Sequence, residues 1–122
     1  MIISMLKMEW EYVEDFMDYQ SLKVYDLYSK DDIQTFYKNY KEEITNEIYD
    51  AIVVMMKENL LQIPVFKFNI GGRIARISVT RDNIDIILKE CIATYEETEN
   101  YERCSQALKL INNQIEDTGL IH

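Results

Sequence analysis

Every proline and glycine that precedes residue 119 lies in one short stretch: the first sixty-three residues have neither, then come Pro64, Gly71 and Gly72. Chain reversal is therefore concentrated there. Val65-Phe66-Lys67-Phe68-Asn69-Ile70 and Arg73-Ile74-Ala75-Arg76-Ile77-Ser78-Val79 alternate apolar and polar side chains on either side of Gly71-Gly72. Two glycines supply the positive φ angles of a two-residue type I′ turn, so residues 65–79 are predicted to form an antiparallel β-hairpin. The turn sets the register. Ile70 should oppose Arg73, Phe68 Ala75 and Phe66 Ile77 on one face; on the other, Asn69 should oppose Ile74, Lys67 Arg76 and Val65 Ser78.

Upstream, Ser29-Lys30-Asp31-Asp32 offers capping residues, and Ile33, Phe36/Tyr37, Tyr40, Ile44, Ile48, Ile52 and Met55 recur at steps of three and four. This predicts one long central helix of about 28 residues, ended by Pro64, with the all-apolar run Ala51–Met56 buried centrally. After the hairpin, Thr80 or Asp82 should cap a helix through Ile84, Ile87, Leu88, Cys91, Ile92 and Tyr95. A last helix should run from Tyr101 to Thr118 and stop at Gly119, making a C-terminal helical hairpin. At the other end, Leu6 to Tyr12 alternates like a strand, while Trp10, Val13, Met17, Val24 and Leu27 also fit helical spacing. A strand here would complete a small antiparallel sheet. The expected architecture is a single α+β domain spanning 1–122.

Composition narrows the function. With 122 residues, 48% of them hydrophobic, the chain can fill one core. Thirteen basic against 22 acidic residues give a net charge of −9, which opposes general affinity for nucleic acid or anionic membranes. The longest apolar run is far short of the roughly 20 residues needed to span a bilayer, and Met1 to Leu6 has no basic leader. A cytoplasmic protein is expected. Abundant Ile, Lys, Asn, Tyr and Asp suits an AT-rich genome, such as a low-GC bacterium or its phages.

Recognisable catalytic chemistry is sparse. The only histidine is the terminal His122, and no GxSxG, P-loop, GxGxxG or HExxH pattern occurs. Gly71-Gly72 is explained by its turn. Adjacent carboxylates such as Glu42-Glu43, Glu96-Glu97 and Glu116-Asp117 point about 100° apart on a helix and do not share a proton. No enzyme activity, cofactor or metal is expected. Cys91 and Cys104 fit no CxxC pattern; each lies a few residues from a turn near Thr98, so they could face one another across the helical hairpin as reduced, buried thiols.

Two surfaces remain. Glu9, Trp10, Glu11, Tyr12, Glu14, Asp15, Asp18 and Tyr19 form an acidic, aromatic cluster suited to binding a protein, since tyrosine and tryptophan dominate protein interfaces. Both the strand and the helix readings place its acids outside. Lys67, Arg73, Arg76 and Arg81 form a basic patch on the hairpin, where Lys67 opposite Arg76 is a like-charge pair that needs neutralising. Either the chain's own acids, from the N-terminal segment or Glu96 to Glu102, supply that charge, or an acidic partner or RNA phosphate does. Sequence-specific nucleic-acid reading is not expected. Asn100-Tyr101-Glu102-Arg103-Cys104-Ser105 resembles the opening of the helical-hairpin interaction motif of the excision-repair UvrB and UvrC proteins; the leucine of that motif falls one position late, at Leu108, and no residue role carries over.

The expected function is non-enzymatic: a small acidic inhibitor of phage or mobile-element origin that blocks a host nuclease or other defence effector, in the manner of an anti-CRISPR protein, by imitating nucleic acid. An immunity protein neutralising a toxin, or an assembly module forming a homo-oligomer, is the alternative. Charge reversal of Glu9, Glu11, Glu14, Asp15 and Asp18 should then abolish binding without unfolding the chain.

Overall fold

The computed structural model describes residues 2–11 and 22–119, with side chains through Asn112. A 3-10 turn at Ile2–Met5 leads into strand β1 (Lys7–Trp10). Strand β2 (Val24–Leu27), helices α1 (Asp32–Asn39) and α2 (Lys41–Lys57), strands β3 (Gln62–Ile70) and β4 (Arg73–Thr80), and helices α3 (Ile84–Glu97) and α4 (Tyr101–Gly119) follow. The fold is α+β, with the helical hairpin α3–α4 where the periodicity places it.

The hairpin keeps its expected register from Phe66↔Ile77 to Ile70↔Arg73, and both turn glycines have positive φ, +58° at Gly71 and +89° at Gly72. Beyond Phe66 the ladder differs. Pro64, not Val65, pairs with Ser78, and Val65 sits in a bulge between Pro64 and Phe66. Proline has no N–H for the ladder, and a bulge is where a strand tolerates it. Pro64 therefore lies inside β3; it does not end the preceding helix, which stops at Lys57.

The sheet order is β1-β4-β3-β2, and β2 runs parallel to β3. The sheet is thus mixed, not antiparallel. Parallel neighbours need a long crossover, and α1 with α2 provides it between Leu27 and Gln62. Val24 and Leu27, which fit helical spacing in the sequence, belong to this edge strand, where Tyr25 and Leu27 turn toward the core.

The long helix is two helices. Tyr40 leaves helical geometry (φ −123°, ψ 29°), although its N–H still donates to Phe36 O at 3.0 Å and its carbonyl accepts from Ile44 N–H at 2.9 Å. The break lets α1 bury Ile33 and Tyr37 independently of the stripe Ile44, Ile48, Ile52 and Met55 on α2. That stripe packs with Phe66, Phe68, Ala75, Ile77 and Val79 of the sheet and with Ile87, Leu88, Cys91 and Tyr95 of α3 in one core. Ala51–Met56 is not buried all round: Ile52 and Met55 are, whereas Val53 and Val54 are exposed, because only one side of α2 meets the sheet.

The helix starts also differ from expectation. Asp32 turns back to accept from the backbone N–H groups of Tyr28 (3.2 Å) and Ser29 (3.0 Å). Neither Thr80 nor Asp82 caps α3, which is entered through a 3-10 turn at Arg81–Asn83. Asn100 Oδ1 accepts from Arg103 N–H at 3.3 Å at the start of α4.

Candidate functional site

β1 pairs antiparallel with β4, Glu9 opposite Arg76 and Trp10 opposite Ala75. Alternation then puts Glu9 and Glu11 on the sheet face of Lys67 and Arg76, away from the face of Phe66, Phe68 and Ile77. Glu9 and Glu11 meet the basic hairpin there. Lys67 Nζ lies 2.9 Å from Glu11 Oε1 and donates to Oε2 at 3.2 Å. Their side chains are only 7% and 3% exposed. Arg76 Nη2 donates to Glu9 Oε1 at 3.3 Å, with Lys7 Nζ 3.8 Å from the same oxygen. The like-charge pair Lys67–Arg76 is thus neutralised within the chain.

The other two basic residues are engaged as well. The Arg73 guanidinium lies 4.2 Å above the Trp10 ring and Lys30 Nζ 5.3 Å from it, so cations cover the indole. Arg81 donates from Nε to Leu60 O (2.9 Å) and from Nη2 to Met55 O (3.2 Å), closing the C-terminal end of α2 with a positive charge. The expectation that both acids lie outside is corrected for Glu11, which is buried, and softened for Glu9, which is about one-third exposed. Tyr12, Glu14, Asp15, Asp18 and Tyr19 lie outside the described residues.

A second acidic, aromatic surface lies at the α3–α4 turn. Glu96, Glu97, Glu99, Tyr101 and Glu102 are all exposed, Tyr101 to 67%. Helix α2 is fastened to this end by Lys41 with Glu97, by Asp50 with Arg103 Nη1 at 2.9 Å, and by Tyr95 Oη donating to Asn46 at 2.8 Å. Exposed Asp50 therefore belongs to the same part of the surface. Glu99 takes a positive φ of 59°, which turns the chain between the helices and presents the neighbouring acids outward. The acidic run Glu96 to Glu99 was visible in the sequence as the break between two helical patterns. Its company with Tyr101 and α2 was not.

Buried hydroxyls and thiols show ordinary core chemistry. Burial pushes the phenols of Tyr25, Tyr49 and Tyr95 upward, and Tyr25 Oη donates to Glu47 Oε2 at 2.7 Å. Burial also raises Glu47 above the usual carboxylate range and pushes the Cys91 thiol up to about 12. Cys91 and Cys104 are both buried and free. Grooves of about 590 and 740 Å³ flank α1; the first is lined by Ile3, Leu6, Met8 and Ile33 among others, the second by Tyr37, Lys38, Lys41 and Glu97 among others. Among the described residues no three His, Cys, Asp or Glu side chains converge as metal ligands, and no helix is long and apolar enough to cross a membrane. No family model, curated protein or solved structure matches the chain.

Proposed function

We propose that this chain is a non-enzymatic, protein-binding inhibitor that acts in the bacterial cytoplasm, and that its contact surface is the acidic end built on the α3–α4 turn. The observation that carries it is the exposure of Glu96, Glu99 and Glu102, beside the Glu97–Lys41 ion pair, around an exposed Tyr101. Aligned carboxylates fit a groove shaped for phosphates, and an exposed tyrosine supplies rigid apolar contact. The partner class this favours is a nucleic-acid-binding host protein, such as a CRISPR effector or another defence nuclease, blocked by a phage or mobile-element product. Glu9 and Glu11 contribute little to such mimicry, since their charge is spent on Arg76 and Lys67.

Pull-down from a bacterial lysate tests it, comparing the native chain with a variant carrying Glu96→Lys, Glu99→Lys and Glu102→Lys. The native chain should retain a nucleic-acid-binding protein that the variant loses and that heparin displaces. An identical set of retained proteins for both chains contradicts the proposal, and a retained toxin would mark an immunity protein.

A further inference from the structure

Among the described residues the sheet has two edges, β1 and β2. On β1 the ladder fixes which backbone groups are spent. Glu11 N–H donates to Ile74 O at 2.9 Å, and the register steps one residue at a time from Lys7↔Ser78 to Trp10↔Ala75. In an antiparallel pair the hydrogen-bonded residues alternate, so Lys7, Glu9 and Glu11 face β4 while Met8 and Trp10 direct N–H and C=O outward. No described residue of the chain pairs with these groups, and an edge of this kind is a template for another strand.

The residues on β1 are complementary to themselves. Place a second β1 antiparallel beside the first, with Met8 opposite Met8. Both Met8 residues then exchange their outward backbone bonds, and Trp10 N–H of each copy reaches Leu6 C=O of the other. The Leu6 N–H is not needed, because it already donates to Ile3 O at 3.1 Å. On the open face, Lys7 of each copy falls opposite Glu9 of the other in the closely spaced, non-hydrogen-bonded position, so the contact that Lys7 makes with Glu9 of its own chain at 3.8 Å is extended across the two strands. On the core-side face, Met8 meets Met8 and Trp10 meets Leu6, beside a groove of about 590 Å³ that Leu6 and Met8 line together with apolar and charged neighbours such as Ile33, Lys30 and Asp31. Since residue i pairs with residue 16 − i, paired side chains keep to the same face, and the helices of both copies lie on one side of a continuous sheet. The other edge has no equivalent register, for Asp26 is the one charge within β2 and no basic residue of that strand can stand opposite it.

We propose that the chain forms a two-fold dimer by antiparallel pairing of β1 with β1 of a second copy, centred on Met8. The isologous contact satisfies the outward N–H groups of Met8 and Trp10 and the outward carbonyls of Leu6 and Met8 in both copies, leaving the Trp10 carbonyl to solvent. It stands whether or not the acidic end binds a partner.

Sedimentation equilibrium of the intact chain tests it with two variants. Native chain should show twice the 14.6 kDa chain mass. Met8→Pro removes an N–H that points away from β4, so it leaves the ladder to β4 intact while deleting the central intermolecular bonds, and should sediment as a monomer with an unchanged circular-dichroism spectrum. If Met8→Pro fails to fold, Lys7→Glu decides: it sets Glu opposite Glu9 at both pairs and should weaken the dimer about tenfold. A native monomer at all concentrations overturns the proposal, as does a dimer whose dissociation constant neither variant changes.

Discussion

Glu11 and Lys67 are held as an ion pair almost completely withdrawn from solvent, with Nζ 2.9 Å from Oε1 and side chains 3% and 7% exposed. The pair joins the first strand of the chain to the centre of the hairpin on the sheet face opposite the helical core. Desolvating two charges is expensive, so such a pair adds little net stability, yet breaking it strands a buried charge. Glu9 with Arg76 is the wetter counterpart beside it, at 3.3 Å and with Glu9 about one-third exposed.

This asymmetry separates two substitutions that look alike in the sequence. Glu11→Lys is expected to cost about 3–5 kcal/mol, because it leaves Lys67 buried beside a like charge, whereas Glu9→Lys should cost about 1 kcal/mol or less. Urea unfolding followed by far-UV circular dichroism reads both. Equal costs would mean that burial does not distinguish the two acids. Reversing Glu9, Glu11, Glu14, Asp15 and Asp18 together is therefore expected to perturb the fold, and loss of binding by that variant says nothing about contact.

Arg81 closes the turn from α2 into β3 through Leu60 O and Met55 O. Arg81→Met keeps much of the aliphatic stem but leaves two partly enclosed carbonyls without their cation. The expected loss is about 2–3 kcal/mol, with faster hydrogen exchange near Glu58 N–H, which donates to Val54 O at 2.9 Å. Native-state exchange would show this; an unchanged rate there would mean that the turn does not depend on Arg81.

Above neutrality the buried thiol and phenols should limit stability. Cys91 holds its proton to about 12 in the folded chain against 9.0 unfolded, because burial disfavours the thiolate. Tyr25, Tyr49 and Tyr95 are shifted upward mainly by burial too. Raised folded values mean that the folded state binds more protons at alkaline pH, so this stability is complete below the unfolded values and is lost as pH rises through the folded ones. Unfolding free energy should therefore fall between about pH 9 and 12, and Cys91→Ala should reduce the slope there. A thiol reagent at pH 8 should leave Cys91 unmodified until the chain is unfolded.

The hairpin was legible because its signals are local: two glycines that need positive φ, flanked by strict alternation. Helix identity was legible from apolar spacing, but the break at Tyr40 was not, since no glycine or proline marks it. The parallel strand β2 was missed because four residues, Val24 to Leu27, carry too little period to separate strand from helix. The bulge at Val65 follows from Pro64 once the strand is seen to run through it. Charge was legible in amount, not in partnership: the mutual need of Lys67 and Arg76 was apparent from their register, whereas the choice of Glu11 and Glu9 to meet it depended on β1 docking against β4. The same limit hid the acidic end at Tyr101, which α2 joins only through contacts distant in sequence.

A double-mutant cycle on Glu11 and Lys67 tests the internal neutralisation directly, using Glu11→Gln, Lys67→Met and the pair together in urea unfolding. The buried ion pair predicts large single losses and a double variant much less destabilised than their sum, with a coupling of about 2 kcal/mol or more. Additive losses, with coupling inside the roughly 0.5 kcal/mol expected of independent sites, would contradict it and leave both charges open to a partner.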